Sequence, residues 1–210
     1  MIYGNNMNFR EFKEQVKKMP FFSSDMGDIC SSSPTTFRNQ LTRWKKQGLL
    51  LELRRGIYTL SKSERLVNFS KETAASNIYQ PSYISLESAL SYYKMIPERV
   101  MATTSVTTRK TKKFTNPLGV FIYRQVNVSL FFGFVAKKDE FGFPYFMAEP
   151  EKALLDYIYL NLGKINPNNK GFIKESLRLQ NFSTIHKKKL LQYAAKYKIA
   201  KLSRLVEQLE

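Results

Sequence analysis

Residues Ser33–Leu60, SPTTFRNQLTRWKKQGLLLELRRGIYTL, constrain the fold of this chain more than any other stretch. Phe37, Leu41 and Trp44 recur at steps of four and three, which makes one face of a helix apolar. Ser33 suits the N-cap, and Pro34 suits the first helical position, where the N–H it lacks would have no partner. Gly48 follows the last turn, and Lys45 and Lys46 favour the negative end of the helix dipole. Beyond it, Leu49–Leu53 and Ile57–Leu60 are rich in residues suited to strands. Arg54-Arg55-Gly56 joins them, and the glycine permits a left-handed turn. The order is helix, tight turn, then a hairpin with a basic tip.

At about 100° per residue, the side of the helix opposite Phe37, Leu41 and Trp44 carries Thr35, Asn39, Thr42 and Lys46. Arg38 and Arg43 flank it. These groups supply donors for base edges and cations for phosphates, as a helix in the major groove needs. An ordinary solvated amphipathic helix has the same pattern, so the hairpin decides between the two. Arg54 and Arg55 repel each other at an exposed tip, and a phosphate backbone or a narrow minor groove relieves that repulsion. The expected unit is a winged helix-turn-helix over residues 1–62; a plain basic hairpin is the alternative.

The 210 residues carry a formal net charge of +17, with the excess spread along the chain and strongest towards its ends. Such a balance points to a polyanion, with nucleic acid the first candidate and an anionic membrane surface the second. Cys30 is the only cysteine and His186 the only histidine. An intrachain disulfide is therefore impossible, a Cys/His zinc site is ruled out, and no cofactor is expected. No apolar run reaches membrane-spanning length and no secretory signal is visible, so a soluble cytoplasmic protein is expected.

Upstream, Asn8 can cap a helix running to about Lys18, with Phe9, Phe12 and Val16 on one face and Pro20 ending it. Asp25–Cys30 reads as a short second helix. The core expected for this unit is Phe9, Phe12, Val16, Phe21, Ile29, Phe37, Leu41 and Trp44. Beyond a boundary near Ser63, residues 63–210 read as a mixed α/β domain. A polar helix begins within Ser61–Glu72, and Ser85 caps another that runs to about Lys94. Strand patterns follow in VMATTSV, RKTKKFT, GVFIYRQV, SLFFGFVA and FPYFMA. Glu149-Pro150 opens a further helix, and Gly171 onward is helical. The expected class is α+β: the winged helix, then a mainly antiparallel sheet with C-terminal helices.

Arg109, Lys110, Lys112 and Lys113 form the densest charge run of the middle region. They read either as a second polyanion surface or as an edge strand guarded by lysines. Lys187-Lys188-Lys189 reads as a solvated helix face. Glu149, Glu151 and Asp156 are the main acidic group. Glu151 and Asp156 stand about 140° apart on a helix and cannot aim at one metal. They are expected at the helix start and surface, with Lys152 and Asp156 making a small surface pair. There is no phosphate-gripping glycine loop and no nucleophile near His186. His186 is expected to be exposed, Cys30 to fill a core, and the chain not to be an enzyme.

Four motifs, LRRGIYTL, PSYISLESAL, TSVTTRKTKKF with NPLGVFIY, and PEKALLDYIYL, follow one another over most of residues 34–162. In that order they resemble the AbiEi-type antitoxin family of bacterial abortive-infection (type IV) toxin–antitoxin systems. The resemblance implies an N-terminal winged helix that binds inverted repeats in double-stranded DNA upstream of its own operon. It also implies a following α/β domain that counters a nucleotidyltransferase-type toxin, without need of a stable complex. Carried onto this chain, the reading positions are Arg38, Asn39, Thr42, Arg43 and Lys46, with Arg54 and Arg55 on the wing. Without a toxin partner, the same residues suit a winged-helix transcriptional regulator or an RNA- or protein-binding inhibitor.

Overall fold

Local capping sets the first helix. In α1 (Phe9–Val16) Asn8 Oδ1 accepts from the Glu11 N–H while the Glu11 carboxylate accepts from the Asn8 N–H, each at 3.0 Å. The computed structural model describes residues 7–26, 33–165, 178–207 and 209. The helix expected over Asp25–Cys30 therefore lies outside the described residues beyond Met26, as do Ile29 and Cys30. A two-residue strand, β1 (Phe22–Ser23), follows α1. α2 (Pro34–Lys46) starts where its proline predicts, with Ser33 Oγ accepting from the Thr36 N–H at 3.2 Å. β2 (Leu50–Arg54) and β3 (Ile57–Leu60) form the hairpin. The three strands make one antiparallel sheet in the order β1-β3-β2.

This sheet closes a small core of Phe12, Val16, Phe22, Phe37, Leu41, Trp44, Leu50, Tyr58 and Leu60. Phe12 stacks on Trp44 with centroids 4.9 Å apart. β1 is absent from the sequence expectation, and it changes the core. Phe22 enters the core opposite Tyr58, while Phe21 turns away and packs 4.5 Å from Phe69. Consecutive residues of an extended segment point to opposite sides, so only one of the two could serve this core. The hairpin is likewise two-faced. Leu50, Tyr58 and Leu60 face the small core, whereas Leu51, Leu53 and Ile57 join a second, larger apolar cluster.

That larger cluster belongs to the rest of the chain. α3 (Lys71–Ile78) starts near the end of the Ser61–Glu72 stretch because Ser70 is its cap; Ser70 Oγ accepts from the Thr73 N–H at 3.1 Å. β4 (Ser82–Ile84) and α4 (Leu86–Tyr92) follow, then β5 (Ala102–Thr107), β6 (Lys112–Asn116), β7 (Gly119–Gln125), β8 (Phe134–Lys138) and β9 (Pro144–Ala148). The six strands pair in the order β6-β7-β5-β4-β9-β8. The β4–β9 and β5–β7 pairs are parallel and the other three antiparallel, so the sheet is mixed with an antiparallel majority. The SLFFGFVA segment is only half strand. Val128–Leu130 is a single 3-10 turn, and β8 begins after Gly133. Gly133 has φ +72°, and a Cβ there would meet Tyr193 Cε2 at 2.9 Å, so the backbone must pass close to the last helices. Those helices are α5 (Pro150–Asn161), α6 (Lys187–Tyr197) and α7 (Ala200–Glu207). The described chain is of mixed α+β architecture.

α5 overturns the expectation of a surface ion pair. Lys152 and Asp156 do pair at i,i+4, but both side chains are 0 % exposed, and Glu151 is buried beside them. The Asp156 carboxylate accepts from four donors. Lys152 Nζ and Tyr197 Oη (3.0 Å) reach Oδ1, while Tyr83 Oη (2.9 Å) and Ser85 Oγ (2.8 Å) reach Oδ2. Lys152 Nζ also donates to Tyr197 Oη at 2.7 Å and lies 4.9 Å from the Phe132 ring centroid. Burial pushes the Lys152 ammonium pKa down, and the adjacent carboxylate only partly opposes that. Ser85 therefore does not cap α4 through its side chain; its hydroxyl is committed to Asp156.

A second clamp holds α6 to the start of α5. Glu149 accepts from Lys189 Nζ at 2.6 Å and Tyr193 Oη at 2.7 Å, and Glu151 Oε1 accepts from the His186 N–H at 2.7 Å. Lys189 thus leaves the solvated face expected of it. Burial raises the Glu149 carboxyl, but the bonds from Lys189 and Tyr193 outweigh it and hold the group below its ordinary 4.5. With the folded value below the unfolded one, this clamp contributes stability above pH 4.5 that is lost as pH falls through the folded value. The melting temperature should fall in that acid range, and Glu149→Gln should fall less steeply over the same range. Parallel acid-side melting curves for the two proteins would disprove this assignment.

Candidate nucleic-acid interface

The inward side of α2 is fixed by Phe37, Gln40, Leu41 and Trp44, all buried. Gln40 adds a tether, its Nε2 donating to the Met7 carbonyl at 2.9 Å. With that face anchored, the opposite one is set. Thr35, Arg38, Asn39, Thr42, Arg43 and Lys46 are all exposed. Thr42 Oγ1 donates back to the Arg38 carbonyl at 2.9 Å, leaving its methyl and oxygen at the surface. Arg38 approaches Asp25 at 3.8 Å, but both groups are well exposed, so the contact holds the guanidinium weakly.

Lys45, expected only to complement the dipole, also ties α2 to the hairpin by donating to Glu52 at 2.6 Å. Glu52 accepts from Tyr58 Oη at 3.3 Å as well. At the tip, Gly56 takes φ +84° and its carbonyl accepts from the Ser24 N–H at 3.0 Å. A Cβ at Gly56 would lie 3.2 Å from Ser24 Oγ, so glycine suits both the turn and the close approach. Between α2 and the hairpin lies a polar cleft of about 520 Å³, lined by Arg38, Thr42, Lys45, Arg54 and Arg55 among others.

The two wing arginines part company. Arg55 is exposed. Arg54 is half-buried, with Nε donating to the Ile78 carbonyl and Nη1 to the Arg55 carbonyl at 3.1 Å. The two arginines named as wing contacts therefore differ, because the Arg54 Nε is engaged by the end of α3. The charge run 109–113 is also divided. All four side chains are exposed, but Arg109 lies 4.6 Å above the Tyr79 ring and donates to the Gln80 carbonyl at 3.2 Å. Lys112 and Lys113 are neighbours in β6 and point to opposite sheet faces.

Comparison with protein-family models and with curated proteins gives no match for this chain. Among the described residues, no helix is long and apolar enough to cross a membrane. Among the same residues, no group of three or more His, Cys, Asp or Glu could hold a metal ion. The buried Ser85, Lys152 and Asp156 bring together residue types used in catalysis, and each is 0 % exposed.

Proposed function

We propose that this chain is a DNA-binding autorepressor of the antitoxin type, in which residues 1–62 act as a winged helix. α2 would be the reading helix and the β2–β3 hairpin the wing. The observation that carries the reading is the joint exposure of Thr35, Arg38, Asn39, Thr42, Arg43 and Lys46 on one side of α2, beside the exposed Arg55. Amide, hydroxyl and guanidinium groups there match base-edge acceptors and donors, while Lys46 and Arg55 match phosphates. The described order α1, β1, α2, β2, β3, with β1 pairing with β3, is compatible with a helix followed by a wing. The net charge of +17 favours the same partner.

The role of residues 63–210 in countering a nucleotidyltransferase-type toxin rests on the four resembling motifs. It is supported by their placement. PSYISLESAL and PEKALLDYIYL meet in the clamp of Tyr83, Ser85, Lys152 and Asp156, which makes them the frame of this region. A frame so closed fits a binding protein better than an enzyme.

Arg43→Ala should weaken binding to the DNA upstream of the chain's own reading frame by about 1–3 kcal/mol if Arg43 reads a base. Binding to random duplex should change much less. Equal loss on both would reduce Arg43 to a phosphate contact. Co-expression with the adjacent reading frame tests the other half: rescue from toxicity supports the antitoxin role. No rescue, together with intact operator binding, leaves a winged-helix regulator without a toxin partner.

A further inference from the structure

Two edge strands meet beside the wing. β2 is the outer strand of the small sheet and β6 the outer strand of the large one. Asn116 Nδ2, at the end of β6, donates to the Leu53 carbonyl of β2 at 3.0 Å. The far end of β6 is tied to the same neighbourhood through three consecutive residues at the end of α3. Ile78 accepts from Arg54 through its carbonyl, and Gln80 accepts from Arg109 in the same way. Tyr79 donates from its hydroxyl to the Lys110 carbonyl at 3.1 Å. Adjacent Cα atoms are about 3.8 Å apart, so the wing arginine and the 109–110 loop are fastened within one short span.

Strand alternation then sorts the lysines. Phe114 lies on the α3 face of β6, its ring 5.6 Å from Tyr79, and Lys112 shares its parity. Lys113 is on the other face. Lys110, Lys112 and Lys113 are exposed, and no ion pair among the described residues involves them. Asn116 and β2 cover only the Asn116 end of the β6 edge, so the open end carries the lysines.

We propose that Lys110 and Lys112 continue the DNA-contacting surface from Arg55 onto the phosphate backbone flanking the site held by α2 and the wing. The inference rests on the DNA-binding reading above. The partner is the same duplex, contacted outside its recognition sequence, and the residues on Arg109's side of Tyr79 are positioned by that stack. Neutral Lys110→Gln/Lys112→Gln should therefore weaken binding without regard to base sequence.

The test is the salt dependence of binding by the full chain to a random 40-base-pair duplex and to shorter versions of it. Each phosphate contact contributes about 0.9 to the slope of log affinity against log salt. The double variant should have a slope shallower by about 2 on the long duplex. Lys113→Gln, on the opposite face, should leave it unchanged, and so should Lys110→Arg/Lys112→Arg. On a duplex shortened to remove the flank, wild type and double variant should coincide. An unchanged slope in the double variant, or an equal fall in Lys113→Gln, overturns the inference while leaving the reading helix intact. A loss seen only on single-stranded RNA overturns the assignment to duplex DNA. Failure of the wild-type chain to bind any duplex would overturn both this inference and the DNA-binding reading.

Discussion

Replacing Asp156 by alanine should destabilise the protein by about 3–5 kcal/mol, the usual cost of removing one partner from a buried ion pair. The magnitude follows from what is left behind. Lys152 Nζ keeps no carboxylate, and the hydroxyls of Tyr83, Ser85 and Tyr197 lose their common acceptor in a site closed to water. Urea denaturation followed by far-ultraviolet circular dichroism measures the loss. Asp156→Asn separates charge from hydrogen bonding, because it retains a carbonyl acceptor but no charge. In that variant the folded Lys152 keeps only the burial effect, which lowers its pKa, while the unfolded lysine titrates near 10.5. Between the two values the unfolded state binds more protons, so the variant should gain stability as pH rises towards 10.5. A loss under about 1 kcal/mol for Asp156→Ala, the range of surface pairs, would mean that water reaches the pair.

Trp44→Ala should cost about 3–5 kcal/mol as well, but in a different place. Trp44 is 5 % exposed, stacked on Phe12 and edge-on to Phe9 at 5.5 Å. With Phe37, which lies 5.8 Å from Phe12, it holds α2 against α1. Hydrogen exchange should therefore show lost protection along α2 while α5 stays protected, since the two clusters are built from different residues. DNA binding should fall with α2 even though Trp44 is on the face away from the proposed contacts. Uniform loss of protection in α2 and α5 would instead show that the shared hairpin makes the two cores one cooperative unit.

Local chemistry made much of the N-terminal region readable. The Asn8 cap, the Ser33-Pro34 start and the Phe37/Leu41/Trp44 stripe all fix structure within one helix, and each appears as its spacing implies. The exposure of the proposed reading face followed from the same stripe. The two-sided hairpin was half legible. The run Leu49-Leu50-Leu51 with Leu53 is too apolar for a strand with one wet face, yet the sequence does not say what covers the second face. The Arg54 contact to Ile78 was unreadable for that reason, because its acceptor is supplied by an element 24 residues away. The Lys152–Asp156 pair was unreadable from spacing, since i,i+4 describes a surface pair and a buried one equally. What buries it is Tyr197, 41 residues beyond Asp156, and the aromatic rings around Lys152. β1 and β4, of two and three residues, are too short to leave a periodic signal.

The most direct test of the account is an equilibrium titration of the full chain against two labelled duplexes at one fixed salt concentration. One carries the sequence upstream of its own reading frame and the other the same bases scrambled. A helix that reads base edges through Arg38, Asn39 and Arg43 should favour the first by about a thousandfold or more. Equal affinities, or no binding to either, would contradict it.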